Sequence, residues 1–250
     1  MGQLQGKVAW ITGGGSGIGL AGGIELARAG AHVIISGRSK ETLTLALQQI
    51  KAAGSGEAIR LDVASKEEVA KVAAKIGRVD ILVNSAGINS PRRNFHNVSL
   101  ESWDQIVAIN LSGMFYCVHA VLPGMRSRKD GLIINVSSWA GRYASTLTGP
   151  GYNATKHAVV ALTESINMEE CANGIRATSV LPGEVATPIL EKRPVPPTPE
   201  VRARMLQADD LGKALLFVAS LPPRACVNEL IISPTWNRFY LGGLESPPKA

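Results

Sequence analysis

The chain has 250 residues, of which 45% are hydrophobic and 18% are charged, and these proportions exclude a disordered or fibrous protein. A chain of this length can bury the core of one large α/β domain, and no linker divides it, so we expect a single domain over residues 1–250. The net charge of +6 comes from scattered basic residues, which argues against a nucleic-acid-binding face and favours weak attraction of small anions.

The N-terminal segment predicts neither export nor membrane anchoring. The sequence MGQLQGKVAWITGG contains no basic stretch followed by a long apolar run and a cleavage site. We find no run of about twenty apolar residues and expect no membrane-spanning helix. Cys117, Cys171 and Cys226 lack CxxC spacing, and we expect buried, reduced thiols rather than disulfides or metal ligands. We therefore expect a cytoplasmic protein without a metal site.

The first informative segment predicts a βαβ unit. Residues 7–11 form a short apolar run typical of a buried parallel strand, and a glycine-dense turn follows. Apolar residues then recur at helical spacing over 17–29, and residues 32–35 form a second apolar strand. Glycines in such a turn let backbone amides contact a phosphate at the positive end of the helix. The spacing is GxxxGxG rather than GxGxxG, but the succession of strand, loop, helix and strand favours a nucleotide site over a plain turn. Its expected binding residues are Gly13, Gly17 and Gly19.

The end of the second strand indicates which dinucleotide the crevice binds. Folds that bind NAD usually place an acidic residue here to bind the ribose hydroxyls, but this chain has Ser36, Gly37 and Arg38. The guanidinium of Arg38 can pair with a 2′-phosphate, and Ser36 or Ser16 can donate further hydrogen bonds. We therefore expect NADP rather than NAD, with a solvated arginine at a strand end as the alternative.

The next elements continue the alternation of strands and helices. We expect helices over 40–53 and 66–76 and strands over 57–61 and 79–83, which makes the sheet parallel and doubly wound. Ligands bind such a sheet at the carboxyl ends of its strands. The candidates for cofactor binding at these ends, each with a helix cap or a turn as its alternative role, are Asp62, Val63, Asn84, Ala86 and Gly87.

Polar residues in the second half of the chain reach the same edge. A long helical segment starts near Ser99, and Asn110 in its middle is a poor helix former, which indicates a purpose or a kink. Residues 131–137 form a fifth strand that delivers Ser137 and Ser138 to the carboxyl edge. Both serines are therefore candidates for contact with a substrate.

Tyr152 and Lys156 stand one helical turn apart, so a phenol and an ammonium share one helix face. A fixed neighbouring cation favours the phenolate and lowers the pKa of a tyrosine toward neutral pH. The spacing alone does not separate a catalytic pair from two solvated neighbours. The sixth strand, residues 175–181, ends at Pro182 and Gly183 on the same edge.

Six ordered motifs make the chain resemble the classical short-chain dehydrogenase/reductase family from about Gly6 to Ile232. They are TGGGSGIG, NSAG in place of the family's NNAG, an asparagine in the long helix, a serine after the fifth strand, YxxxK, and PG followed by VATP. The resemblance implies a single-domain, Rossmann-type, doubly wound parallel sheet of about seven strands with helices on both faces. It also implies an NADP(H)-dependent oxidoreductase that reduces a ketone or aldehyde or oxidises the alcohol. An NAD-dependent alcohol dehydrogenase and a non-catalytic nucleotide-sensing protein are the alternatives.

The resemblance also implies a role for each candidate residue. Tyr152 would be the general acid or base, and Ser138, with Ser137 as the alternative, would hold the substrate oxygen. Lys156 would lower the pKa of the tyrosine and bind the nicotinamide ribose, and Asn110 would hold a water in a proton relay to it. Further cofactor contacts are implied for Ile18, Gly19, Pro182, Gly183, Val185 and Thr187.

Residues 188–208 correspond to the substrate-covering segment, or lid, of the family. The five prolines of this segment resist regular structure until Thr198 caps a short helix. Four basic residues would give the pocket mouth a positive field that favours an acidic substrate: Arg92, Arg142, Lys192 and Arg193. The alternative is that they are solvated surface charges.

The C-terminal part predicts a seventh strand and an irregular tail. The segment VNELIIS forms the strand, and the proline- and glycine-rich tail, residues 233–250, is expected to be flexible or to lie on a neighbouring subunit. The resemblance implies a homo-oligomer, either a dimer or a tetramer, with a small-molecule carbonyl or alcohol as its other partner.

Overall fold

A parallel sheet of seven strands forms the centre of the computed structural model, which describes residues 2–240. The strands of the protein are β1 (Val8–Thr12), β2 (His32–Gly37), β3 (Ser55–Arg60), β4 (Ile81–Asn84), β5 (Gly131–Val136), β6 (Ile175–Pro182), β7 (Val185–Ala186), β8 (Leu206–Gln207) and β9 (Glu229–Ile232). The main sheet has the order β3-β2-β1-β4-β5-β6-β9, so the winding direction reverses between β1 and β4. This order confirms the predicted doubly wound, Rossmann-type architecture. The short strands β7 and β8 pair in a second sheet that the sequence analysis did not predict.

Helices cover both faces of the main sheet. They are α1 (Gly17–Arg28), α2 (Lys40–Ala53), α3 (Lys66–Ile76), α4 (Leu100–Val107), α5 (Gly113–Arg128), α6 (Pro150–Glu170), α7 (Pro199–Ala203) and α8 (Ala208–Ser220). The predicted bounds of α2 and α3 are confirmed. A serine hydroxyl caps the N-terminus of each helix. Ser39 accepts a bond from the Thr42 amide, and Ser65 accepts one from the Glu68 amide. The sequence analysis left α8 unassigned.

The pleat of the strands divides the core into two layers. Ala9 and Ile11 of β1 pack in the layer that contains Leu26 of α1, whereas Trp10 packs in the layer that contains Met125 of α5. All of these side chains are buried. The strands are therefore apolar on both faces, as expected for a parallel sheet covered by helices on each side.

The helical segment Leu100–Arg128 has the length and hydropathy of a membrane span, which the search for apolar runs in the sequence did not find. Its 29 residues include a window with a mean hydropathy of 1.6, so it is long and apolar enough to cross a membrane by length and composition. In the fold, its C-terminal part α5 packs against α3 and β5 and buries Cys117, Val121 and Met125. The apolar run is therefore accounted for by the core of the domain.

The three cysteines differ in environment, which corrects the prediction that all of them are buried. Cys117 lies in the core, and burial raises the pKa of its thiol to about 12. Cys171 follows α6 and Cys226 precedes β9, and both are exposed. Local apolar context in the sequence did not reveal that the latter two lie beyond the ends of their elements.

The lid agrees with its prediction in part. Thr198 caps α7 by accepting a bond from the Val201 amide, as predicted. However, the residues before it are not irregular throughout, because Pro188–Lys192 forms a 3-10 turn. The lid is also anchored by the pairing of β8 with β7.

Candidate active site

A cavity of about 290 Å³ opens at the carboxyl ends of β1, β4, β5 and β6. This is the edge where the sequence analysis expected the crevice. The predicted site residues that line it are Gly13, Ser16, Gly17, Ile18, Ala86, Gly87, Ser138, Tyr152, Lys156, Pro182, Gly183, Val185 and Thr187. Those outside its lining are Gly19, Ser36, Arg38, Asp62, Val63, Asn84 and Asn110.

The glycine loop has the shape of a phosphate cradle. Gly13 has a φ of +66°, and a Cβ there would lie 2.7 Å from the Ala86 amide nitrogen. A Cβ on Gly19 would lie 2.5 Å from the Gly13 carbonyl oxygen. Ser16 stands at the N-cap of α1 without a side-chain capping bond, so the first amides of this helix remain available to an anion. The loop therefore fits a pyrophosphate on backbone grounds.

Ser36 and Asn84 face the interior of the sheet, which corrects their prediction as cofactor contacts through their side chains. The fully buried Ser36 hydroxyl accepts a bond of 3.0 Å from the Trp10 indole. Asn84 is buried as well, and its amide donates a bond of 2.9 Å to the Asn135 side chain on the next strand. These two side chains tie strands and layers together and do not line the cavity.

The residues predicted to hold the adenosine end lie beside the cavity. Arg38 is exposed at the end of β2, and no ion pair joins it to another residue within 2–240. One Asp62 carboxylate oxygen accepts a bond of 3.0 Å from the Ala64 amide, so it supports the turn role that the sequence analysis kept as an alternative. The Val63 side chain packs in the core close to Gly113.

Asn110 lies in a π-helical turn, residues 108–112, that joins α4 to α5. The predicted purpose or kink is thus visible as a local widening of the helix. Its side-chain oxygen accepts a bond of 2.8 Å from the Ile88 amide, and its side-chain nitrogen donates one of 3.0 Å to the Ile88 carbonyl. Both ends of the side chain therefore hold this loop, and the water relay through Asn110 stays a prediction.

The two adjacent serines have different roles. Ser137 is buried, and its hydroxyl donates a bond of 2.8 Å to the Lys156 carbonyl. The Ser138 hydroxyl accepts a bond of 3.1 Å from the Ala140 amide and keeps its own hydrogen for another partner. The Ser138 hydroxyl also lies close enough to Tyr152 to lower the pKa of the phenol. The geometry therefore favours Ser138 over Ser137 as the residue that faces a substrate.

Tyr152 and Lys156 share one face of α6, as their spacing predicted. The Lys156 ammonium lies 5.4 Å from the centre of the Tyr152 ring and donates a bond of 2.8 Å to the Val136 carbonyl. Burial lowers the pKa of Lys156 from 10.5 to about 8.

Within residues 2–240, no three His, Cys, Asp or Glu side chains form a cluster that could hold a metal ion.

The pKa of Tyr152 is raised overall, although a lowered pKa was expected from the spacing to Lys156. Burial raises the pKa of Tyr152, and this effect is opposed by the Ser138 hydroxyl and by the charges of Arg193 and Arg93. The Lys156 ammonium is held by the Val136 carbonyl near the centre of the Tyr152 ring. Arg93 and Arg193, which the family motifs do not include, are the charges that oppose the rise in this pKa.

The basic residues that were expected at the pocket mouth fall into different environments. Arg142 forms an ion pair with Glu229, and Arg193 pairs with Glu184 at 2.9 Å. Arg92 and Lys192 are exposed and do not line the cavity. Of the four expected residues only Arg193 lines the cavity, and it is joined there by Arg93, which was not among them. Burial distinguishes it from Arg92, and no sequence signal carries that information.

An aromatic wall and the C-terminal segment close one side of the cavity. Trp139 contacts Tyr143 with ring centres 4.6 Å apart, and Phe239 stacks on Trp139 at 6.1 Å. Residues 233–240 therefore lie against the site of their own chain, which corrects the prediction of a flexible or intersubunit tail for this part. The rest of the predicted tail, 241–250, lies outside the described residues.

Comparisons with known proteins define the class of this protein. A family model described as short chain dehydrogenase matches residues 7–196. An uncharacterised oxidoreductase of Staphylococcus saprophyticus is 33% identical over 238 residues, covering 93% of this chain and 99% of that protein. The protein is therefore an oxidoreductase by fold and relatives. It belongs to the short-chain dehydrogenase family.

Solved structures of this family share the fold with different named activities. A serine dehydrogenase complexed with NADP+ has 26% identity and a TM-score of 0.82, covering 97% of this chain and 98% of that chain. An alcohol dehydrogenase from the archaeon Thermococcus sibiricus, complexed with 5-hydroxy-NADP, has 27% identity and a TM-score of 0.83, covering 93% and 98% of the two chains. The fold is thus shared by proteins named for different substrates.

Proposed function

We propose that the protein is an NADP(H)-dependent oxidoreductase that reduces a ketone or aldehyde to an alcohol, or catalyses the reverse reaction. The observation that carries this proposal is the meeting of Ser138, Tyr152 and Lys156 on one wall of a cavity whose other wall is the glycine loop. A proton donor and a dinucleotide cradle thus face the same space. This is the arrangement that hydride transfer to a carbonyl requires.

The residues around the cavity fit a dinucleotide. The glycine loop leaves no space for a Cβ at Gly13 or Gly19, and the first amides of α1 are available to a pyrophosphate. When bound, NADPH supplies the hydride. Arg38 would hold the 2′-phosphate, because its guanidinium is exposed and Gly37 stands where an NAD-binding chain usually has an acid. Two relatives in the fold comparison are named as complexes with NADP or an NADP derivative, which supports the same choice.

The side chains of the site divide the chemistry between them. Tyr152 donates its proton to the carbonyl oxygen during reduction and accepts one during oxidation. Ser138 donates a hydrogen bond to the same oxygen, which strengthens as negative charge develops there. Lys156 holds a positive charge below the phenol ring and is fixed by the Val136 carbonyl. The stacked rings of Trp139 and Phe239 give this side of the cavity an apolar surface.

Nicotinamide absorbance tests the proposal directly. The purified protein is mixed with NADPH or NADH and with a panel of ketones, aldehydes and oxo acids. We expect oxidation of NADPH by at least one member of the panel and a weaker response with NADH. Arg38→Asp should weaken NADPH binding about tenfold to a hundredfold, the loss expected for a charge-assisted bond, and should change NADH binding little. Equal effects on both cofactors would refute the role of Arg38 and favour the NAD-dependent alternative.

We further propose a cytoplasmic homo-oligomer, either a dimer or a tetramer. Exposed apolar side chains on α4 and α5, among them Leu100, Trp103 and Phe115, support a subunit contact there. Light scattering after size exclusion checks the oligomeric state, and a monomer at micromolar concentration would contradict this proposal.

A nucleotide-sensing protein remains the second candidate function, and it predicts cofactor binding without turnover of any carbonyl.

A further inference from the structure

Arg93 is a buried cation on the wall of the candidate active site. It lies in the loop between β4 and α4, only 6% of it is exposed, and it lines the cavity together with Tyr152. Its guanidinium donates hydrogen bonds to the carbonyls of Ser90 at 2.7 Å, Leu147 at 3.4 Å and Lys192 at 2.6 Å. A guanidinium has five N–H groups, so two of them remain for a further acceptor.

The charge of Arg93 has no carboxylate partner among the residues that the structure describes. The ion pairs within 4.0 Å in this part of the chain do not include Arg93. Glu184, which also lines the cavity, is already shared by Arg193 at 2.9 Å and Arg238 at 3.0 Å. Carbonyl groups satisfy hydrogen bonds but do not neutralise a charge. A buried cation without a counter-charge is unfavourable unless a ligand supplies one.

The cavity as a whole is positively charged. Its lining contains the cationic side chains of Arg93, Lys156 and Arg193 and a single carboxylate, that of Glu184. The charge of Arg93 is close enough to Tyr152 to lower the pKa of the phenol. A ligand that reaches Tyr152 is therefore also exposed to the field of Arg93.

We propose that Arg93 binds a carboxylate of the substrate, so that the substrate class is short oxo acids and the corresponding hydroxy acids. This inference rests on the proposed function, because it places the reacting carbonyl at Tyr152. The two free N–H groups of the guanidinium belong to a planar fork that matches the two oxygens of a carboxylate. The sequence analysis expected an acidic substrate from Arg92, Arg142, Lys192 and Arg193. The geometry assigns the contact to Arg93 instead.

A purely structural role is the competing explanation. The three carbonyls that Arg93 contacts belong to three segments around the cavity, so Arg93 also holds the loop, the segment before α6 and the lid together. A structural clasp affects all substrates equally. A carboxylate contact affects only substrates that carry the charge.

Matched acids and methyl esters separate the two roles. The holoenzyme with saturating NADPH is assayed with short 2-oxo, 3-oxo and 4-oxo acids, each beside its own methyl ester. We expect the wild type to prefer the acid of at least one pair by about tenfold or more in kcat/KM. Arg93→Gln should lower kcat/KM for that acid by about tenfold to a hundredfold and leave the ester within about twofold. Arg93→Lys, which keeps the charge, should restore part of the preference for the acid.

Arg92→Gln is the matched control, because it removes the adjacent exposed arginine and should leave the acid-to-ester ratio unchanged. The inference is refuted if the wild type reduces ester and acid equally well, or if Arg93→Gln lowers both by the same factor. If Arg93→Gln does not fold, the wild-type ratio and the ratio for Arg93→Lys decide the question. Reduction of neutral ketones but not of any acid overturns this inference alone. Failure to reduce any carbonyl while NADPH binds refutes the proposed function itself.

Discussion

Replacement of Lys156 by methionine tests how strongly burial of this ammonium destabilises the fold. Only 4% of Lys156 is exposed, and burial lowers the pKa of its side chain from 10.5 to about 8. At a pH where Lys156 is charged in both the folded and the unfolded chain, this difference in pKa lowers the free energy of unfolding by about 3 kcal/mol. Methionine removes the charge, but it also removes the hydrogen bond to the Val136 carbonyl, which offsets about 1–3 kcal/mol of the gain. The net change at neutral pH is therefore small, and the pH dependence is the sharper readout.

The sign of this pH dependence follows from the lowered pKa. Above about pH 8 the folded protein releases the Lys156 proton, whereas the unfolded chain retains it until about pH 10.5. The unfolded state then binds more protons, so raising the pH stabilises the folded wild type. Lys156→Met lacks this titration. Relative to the variant, the free energy of unfolding of the wild type should rise by about 2 kcal/mol between about pH 7 and about pH 9.5.

Urea denaturation at equal protein concentrations measures this difference. Lys71→Met is the control, because Lys71 is exposed on α3, and its stability difference from the wild type should stay constant over the same range. A constant difference between Lys156→Met and the wild type would refute the reasoning. Activity is measured in parallel, because the account also expects Lys156→Met to lose carbonyl reduction.

Three further substitutions test the packing around the site and the sheet. Gly141→Ala should lower the free energy of unfolding by about 1–3 kcal/mol in urea denaturation, because its Cβ would lie 2.7 Å from the Lys156 carbonyl oxygen; an unchanged midpoint would contradict this. Asp80→Asn should destabilise by about 1–3 kcal/mol at neutral pH, since it removes the charge of a buried carboxylate that pairs with the half-exposed Arg78 and accepts a bond from the Val8 amide. Burial opposes ionisation of Asp80, but hydrogen bonds from Arg78 and from the Val8 amide hold the pKa of Asp80 below 3.8. The loss of stability caused by Asp80→Asn should therefore shrink as the pH falls below 3.8. A loss that stays constant with pH would contradict the pairing. Asn110→Ala should destabilise by about 1–3 kcal/mol, because it leaves the backbone amide and carbonyl of the partly buried Ile88 unpaired, and a fully stable variant would show that this contact is dispensable.

Local patterns in the sequence predicted the fold well. Apolar runs located the strands, and the predicted starts of α2 and α3 agree with the structure, where Ser39 and Ser65 form local capping bonds at these positions. The poor helix propensity of Asn110 indicated the place where the long helix widens into a π-helical turn. Ordered motifs then placed the glycine loop, Ser138, Tyr152 and Lys156 on one edge.

The parts that the sequence did not predict depend on contacts between distant residues. Ser36 and Asn84 stand at the carboxyl ends of their strands, but their partners Trp10 and Asn135 lie on other strands, so only the fold shows that these side chains face inward. The difference between Arg92 and Arg93 is a difference of burial, which loop sequence does not encode. The packing of the C-terminal segment on the aromatic wall depends in the same way on tertiary contacts.

The central claim is that Tyr152 transfers the proton in carbonyl reduction, and a single-turnover measurement tests it most directly. Wild type, Tyr152→Phe and the control Tyr116→Phe, which alters a partly buried tyrosine of α5 outside the cavity, are saturated with NADPH and mixed with the best carbonyl substrate. Cofactor binding is measured separately by fluorescence. The account predicts equal NADPH binding in all three proteins and a rate of NADPH oxidation that falls about a hundredfold to ten-thousandfold only in Tyr152→Phe. An unchanged rate in Tyr152→Phe would contradict it.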